Sequence, residues 1–200
     1  MASSPINASR HPEIILASGS RYRKQMLERL RLPFSVIPAD IDESAEPGEN
    51  AEVLAARLSL TKAQVIANHH PQAIVIGADQ VAECDGRLLG KPGTIETAVK
   101  QLQHCSGQTM VFHSGLALIG RGRTLQTVVP TEVRMRELSE AEIRRYVEQD
   151  RPLDCAGAMR SESLGITLTS AISSDDPTAL IGMPLITISQ LLRELGITLP

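Results

Sequence analysis

The chain of 200 residues is poor in aromatics: it has no Trp, two Tyr and two Phe. Its core must therefore be aliphatic, and an aromatic in a polar stretch needs a reason of its own. Cysteine is scarce as well. Cys84, Cys105 and Cys155 are widely spaced, odd in number and outside any CxxC pattern. This excludes a disulfide framework or a cysteine zinc site, and it points to reduced thiols in a cytoplasmic setting. No apolar run approaches the roughly 20 residues that cross a bilayer, so no membrane partner is expected. Basic residues are not in excess. The formal net charge of −3 argues against a general nucleic-acid binder. The opening stretch MASSPINASRHP lacks an apolar segment. It reads as a loose polar tail over 1–12, not as a secretory signal.

Hydrophobic residues make up 42% of the chain, enough for the core of one α/β domain over 13–200. The run 13–18 reads as a buried strand, 21–31 as a helix stopped by Pro33, and 34–40 as a second strand. An acidic, Pro- and Gly-bearing loop covers 40–50, and a helical pattern follows over 51–69. The β-branched run 73–79 reads as a central strand that leads into a hairpin at Asp85-Gly86. Thr94 is placed to cap a helix over 95–105 that ends at Gly107. The segments 109–119 and 124–136 form an antiparallel pair. Ser139 and Glu142 make a capping box for the next helix. Residues 153–170 carry no clear pattern. Pro184 opens a last helix that Gly196 closes. The fold class is α/β: a mixed twisted sheet with flanking helices.

Five places could carry chemistry. Ser18 to Lys24 (SGSRYRK) spans a strand-to-helix turn, where unpaired amides and added cations suit an anion; an ordinary Ser cap followed by solvated basic residues would look the same. Asp40, Asp42 and Glu43 could hold a hard cation or simply face water. Asp79, in Gly77-Ala78-Asp79-Gln80, lies at the carboxyl end of the apolar strand, where α/β sheets place ligands. Gly77 leaves room for a close approach. Lys62 interrupts an apolar helix pattern, and Lys91 sits between Gly90 and Pro92. His69 and His70 read as a helix end, with no metal-ligand spacing. Cys155 reads as a small buried thiol, with a nucleophile as the alternative.

Taken in order and spacing, these pieces resemble the Maf family of nucleotide pyrophosphatases from Ile14 to about Gly196. The matching pieces are Leu16-Ala17-Ser18-x-Ser20, Asp42-Glu43, Ala55-x6-Lys62-Ala63, Gly77-Ala78-Asp79-Gln80 and Gly90-Lys91-Pro92. Ser106-Gly107, Leu138-Ser139-Glu140 and Gly182-Met183-Pro184 follow. The resemblance implies a deep cleft like that of the inosine-triphosphate pyrophosphatases, a homodimer, and a divalent metal, Mg or Mn. It implies that Asp79 is the catalytic proton acceptor and that Ser18, Arg23, Lys62 and Lys91 bind phosphate. It places Glu43 and Asp79 at the metal. Arg21 departs from the family, which usually has Pro there.

Cys155-Ala156-Gly157-x2-Arg160-Ser161-Glu162 followed by Gly165-Ile166 is closer to the branch that hydrolyses 7-methyl-GTP. In that branch Tyr22, Gln80 and Glu162 match the specificity positions. An aromatic face and a carboxylate suit a base that N7-methylation has made cationic. The implied reaction is hydrolysis of a nucleoside triphosphate to a monophosphate and diphosphate. The alternatives are the same chemistry on dTTP, UTP or inosine triphosphate, a cysteine hydrolase using Cys155, and a non-catalytic nucleotide sensor.

Overall fold

The computed structural model describes residues 12–200, so the expected tail, Pro12 apart, lies outside the described residues. Strand β1 (Ile14–Leu16) pairs in parallel with β2 (Ser35–Val36) on one side and β3 (Ile74–Cys84) on the other. Then β3 pairs antiparallel with β4 (Arg87–Leu89) and with β5 (Thr109–Gly120). Next come β6 (Arg123–Met135) and β7 (Thr169–Ser173), both antiparallel. Among the described residues seven strands form one mixed sheet in the order β2-β1-β3-β5-β6-β7, with β4 beside β3. Five α-helices among the described residues flank it: α1 (Arg21–Glu28), α2 (Ala51–Ala67), α3 (Ile95–Cys105), α4 (Glu140–Asp150) and α5 (Leu185–Glu194). Among the described residues no helix is long and apolar enough to cross a membrane.

The alternation of β3 divides the core. Ile74, Ile76 and Ala78 pack with α1 and α5, and farther along Ala82 and Cys84 pack with α3 and α4. Val75 and Val81 face α2 on the other side. Helix α2 comes so close to the sheet that a Cβ on Gly77 would lie 2.7 Å from Ala63 N and 2.8 Å from Ala63 Cβ. The expected close approach at Gly77 is therefore the backbone of α2. Gly77→Ala should cost about 1–3 kcal/mol or more by overpacking, seen as a drop of several degrees in Tm. An unchanged Tm would mean that α2 can shift freely.

The expected elements form, with adjustments at the ends. Helix α1 stops at Glu28, short of Pro33, because Arg29 and Leu30 close the last turn with bonds to Met26 and Leu27 and Arg31 turns to φ 54°. Strand β2 is only two residues long. The β3–β4 turn has positive φ at both Asp85 and Gly86, and the β5–β6 turn has it at Arg121 and Gly122, as two-residue hairpins require. The capping box at Ser139 and Glu142 is formed. The stretch without a pattern, 153–170, consists of turns and two short 3-10 segments before β7.

Asp79 does not end its strand. It sits in the middle of β3, which continues straight into the hairpin. Among the described residues its edge of β3 is nevertheless open. β1 is paired with β3 as far as Ile76, and β4 takes up the same edge only from Ala82. This gap lies just beyond the carboxyl end of the short parallel strand β1, and the cleft enters there. Through the gap both Asp79, which faces α2, and Gln80, which faces the other side, are reached from one space.

Candidate active site

The gap opens into a cleft of about 840 Å³ lined by the β1–α1 turn, Glu43 and Ala45 of the acidic loop, α2 and the Gly90-Lys91 loop. Ser18, Tyr22, Arg23, Glu43, Lys62, Asp79, Gln80 and Lys91 all line it. A side recess of about 90 Å³ shares Tyr22, Arg23, Gln80 and Lys91 and adds Glu162. The structure thus brings Ser18, Tyr22, Arg23, Glu43, Lys62, Asp79, Gln80, Lys91 and Glu162 to one cleft and its recess, and leaves Asp40 and Asp42 outside both.

The floor is charged and buried. Asp79 is 6% exposed and Lys62 5% exposed. Lys62 Nζ donates to Asp79 Oδ1 at 2.5 Å and also reaches Glu43 Oε1 at 2.5 Å. The lysine that interrupts an apolar helix pattern is therefore the bridge between two carboxylates. Glu43 itself is half exposed. Burial pushes its carboxyl up, but the hydrogen bond and charge of Lys62, with Lys91 and Arg23 nearby, outweigh this and hold it below its ordinary value.

The β1–α1 turn is tied down by side chains. Ser20 caps α1 by accepting from Arg23 N at 3.4 Å. Ser18 Oγ accepts from Ser20 N and from Arg23 Nη1, both at 3.2 Å. Neither bond uses the Ser18 hydroxyl hydrogen, which stays available to an oxygen in the cleft. Arg23 Nε donates to Gly182 O at 3.2 Å, and its Nη2 lies 3.9 Å from Asp79 Oδ1. The first turn of α1, with the unpaired amides of a helix start, thus forms one wall beside three cations, Arg23, Lys62 and Lys91.

The acidic loop contributes one carboxylate, not three. Asp42 Oδ1 accepts from Ser44 N at 2.9 Å, and neither Asp40 nor Asp42 lines the cleft. Only Glu43 does. A residue that sequence reasoning missed sets the loop: Arg57 donates to both oxygens of Glu49 at 2.7 Å and to Ser44 O at 2.9 Å. No local signal marks that pairing.

Gln80 has a fixed orientation. Its Nε2 donates to Ala179 O and Leu180 O, both at 3.0 Å, and lies 3.2 Å from Ser114 Oγ. These carbonyls can be met only by the NH₂ end, so the amide oxygen is not used by them, and Gln80 lines both the cleft and the recess. The segment carrying Glu162 is also anchored by residues without a sequence signal. Tyr146 donates to Ala158 O at 3.1 Å and accepts from Arg160 N at 3.0 Å. Gly157 N donates to Gly90 O at 3.3 Å, which joins this segment to the Lys91 loop. Arg160 pairs with Asp150 and Asp154, leaving Glu162 unpaired by it.

Cys155 is half-buried on the recess wall, more open than the buried thiol expected. Burial pushes the thiol up, and among the described residues its side-chain neighbours include Asp154, Tyr22 and Arg160 but no histidine. A protonated thiol without a base is a poor nucleophile. His69 and His70 follow the end of α2 in a turn, away from the cleft lining. No group of three His, Cys, Asp or Glu side chains is placed to hold a metal by itself among the described residues.

Comparison with known proteins places the chain among named relatives. The chain is 49% identical over 193 residues to a protein named 7-methyl-GTP pyrophosphatase from Aromatoleum aromaticum, covering 96% of this chain and 100% of that one. It is also 49% identical over 191 residues to a 7-methyl-GTP pyrophosphatase from Pseudomonas aeruginosa, covering 94% of this chain and 100% of that one. Among solved structures, a HAM1 protein from Coxiella burnetii matches the fold at 18% identity with a TM-score of 0.54, over 92% of this chain and 100% of that one. The family model described as Maf-like protein matches residues 13–195, and this chain belongs to that family.

Proposed function

We propose that this protein is a nucleoside triphosphate pyrophosphatase that hydrolyses the α–β phosphoanhydride, with 7-methyl-GTP as its substrate and 7-methyl-GMP and diphosphate as products. The observation that carries the reading is the buried Asp79 at the floor of the gap, hydrogen-bonded to Lys62 and surrounded by Arg23, Ser18 and Lys91 in one nucleotide-sized cleft. The names of the relatives support the substrate.

In this reading the triphosphate lies along the β1–α1 turn. Ser18 and the turn amides donate to its oxygens, and Arg23, Lys62 and Lys91 balance its charge. Asp79 accepts the proton of the attacking water. Lys62 orients Asp79 for that task. The donor set fits a divalent cation, Mg²⁺ or Mn²⁺. Lys62 engages Asp79 Oδ1 and Glu43 Oε1, and among the described residues the second oxygen of each has no hydrogen-bond donor. Two carboxylates plus substrate phosphate oxygens are a usual Mg²⁺ ligand set. When bound, the cation would neutralise charge developing on the leaving diphosphate.

The deciding experiment is a nucleotide panel with Mg²⁺ and with Mn²⁺ that assays diphosphate against orthophosphate. Diphosphate is expected, with 7-methyl-GTP preferred to GTP. Orthophosphate as the first product would sink the reaction assigned; dTTP, UTP or inosine triphosphate as the best substrate would sink the base assigned. Binding without turnover at any metal concentration would make the protein a sensor.

For the base, Tyr22 offers an aromatic face, the Gln80 amide oxygen an acceptor for the guanine N–H edge, and Glu162 a negative charge. Tyr22→Ala should reduce the preference for 7-methyl-GTP over GTP by about threefold to thirtyfold in kcat/KM. Glu162→Gln should cost more for the methylated base, since only that base loses a charge partner. Equal losses for the two nucleotides would discard the cation argument and leave the reaction standing.

Cys155→Ser should retain metal-stimulated turnover apart from packing effects. Its loss in a folded variant, with inactivation by a thiol reagent but not by a chelator, would instead support a cysteine hydrolase. The reading is completed by a homodimer, to be checked by light scattering, in the cytoplasm.

A further inference from the structure

The seat assigned to the base already holds a cation. The guanidinium of Arg21 lies over the Tyr22 ring, 4.7 Å from its centroid, and its Nη2 donates to Tyr22 Oη at 2.7 Å. The same nitrogen reaches Asp154 Oδ2 at 3.3 Å. Asp154 lines both the cleft and the recess. It takes the Tyr22 hydroxyl at 3.4 Å and Arg160 Nη2 at 3.5 Å. A planar, delocalised cation on an aromatic face, balanced by a carboxylate, is also the description of a bound N7-methylated purine.

We infer that Arg21 is a stand-in occupant of the base seat, displaced by the substrate's cationic base, and that Asp154 is a specificity-determining carboxylate that then pairs with that base. This rests on the substrate class proposed above. It adds a residue to the recognition set, since Glu162 lines the recess alone while Asp154 faces both spaces. Displacement is cheap. The Arg21 and Asp154 side chains are 65% and 51% exposed, and exposed ion pairs are weak. Once Arg21 has swung away, a methylated base returns a positive charge to the place that Arg21 held beside Asp154 and over Tyr22, whereas Arg160, 3.5 Å from Asp154 and 5.8 Å from the Tyr22 centroid, is present for either base. An unmethylated guanine leaves the place of Arg21 without a charge.

The arrangement separates the roles of the two residues. Displacing Arg21 costs the same for either base, so its removal should tighten both ligands and leave their ratio intact. Asp154 acts on the ratio, because only one base carries the charge it answers.

The test is equilibrium binding of 7-methyl-GMP and GMP to the full chain, by calorimetry. It needs no turnover, so a failure of the pyrophosphatase assignment and a failure of this inference are separate results. Arg21→Ala should lower Kd for both nucleotides by about twofold to tenfold. Adding Asp154→Asn to that variant should lower the preference for 7-methyl-GMP by about twofold to fivefold. Both positions are on the surface, so the variants should fold, and a thermal melt checks this. If Arg21→Ala raises Kd for both nucleotides, Arg21 is a phosphate contact and the inference is overturned. It is equally overturned if Kd does not move, or if the Asp154 substitution leaves the preference unchanged.

Discussion

Asp79→Asn should fold and lose about 10²–10⁴-fold in kcat, the usual contribution of a positioned proton acceptor. Asn has the shape of Asp, and Lys62 keeps its pairing with Glu43 when the Asp79 charge is removed. The fold should therefore survive while proton acceptance is lost. The carboxamide also offers a weaker cation ligand, which adds to the loss. KM should change less than kcat, because the groups proposed to face phosphate, Ser18, Arg23 and Lys91, stay in place. The measurement is steady-state diphosphate release by a variant whose circular dichroism and melting match the parent. Turnover within tenfold of the parent would remove Asp79 from proton transfer.

Lys62→Met is expected to lower both activity and stability, by a different route. The ammonium bridges a buried carboxylate and a half-exposed one, and Met fills the space without the charge. Taking away one partner of a buried pair typically costs about 3–5 kcal/mol, because the remaining charge is stranded. Here the open cleft admits water and Arg23 lies 3.9 Å from Asp79, so the lower end, about 3 kcal/mol, is expected. Activity should fall through the lost phosphate contact and the loosened Asp79. If Asp79 and Glu43 hold a divalent cation, Mg²⁺ should raise the melting temperature of Lys62→Met more than that of the parent, since the ion can replace the missing charge between the two carboxylates. Urea or thermal unfolding with and without Mg²⁺ reads this directly. An equal Mg²⁺ effect on both proteins would count against those two residues as the metal ligands.

Much of the fold was legible because its signals are local. The capping box at Ser139, the positive-φ hairpin at Asp85-Gly86 and the unbroken apolar strand before Asp79 are each written in a few adjacent residues. The ends of elements were less legible. Helix α1 stops early because its last turn closes on itself, and β7 was not foreseen because its Thr-Ser-Ala-Ile-Ser run is mostly exposed at a sheet edge. Asp79 was found for a reason that needed correcting. Its strand does not end there; the neighbouring strand does.

The sequence by itself determined the periodicity, the caps and the turns and, through the resemblance, named the candidate site residues. All of these depend on chemistry between residues close in the chain or on motifs read in order. Only the tertiary structure decided who meets whom. Lys62 bridges Asp79 and Glu43, Arg57 pins the acidic loop, Tyr146 and Gly90 hold the segment before Glu162, and Arg21 crosses 133 positions to reach Asp154. The direction of a side chain and the identity of its ion-pair partner depend on where the folded chain returns. The open edge of β3 arises the same way, from the lengths of β1 and β4 laid against it, and no stretch of residues carries that information alone.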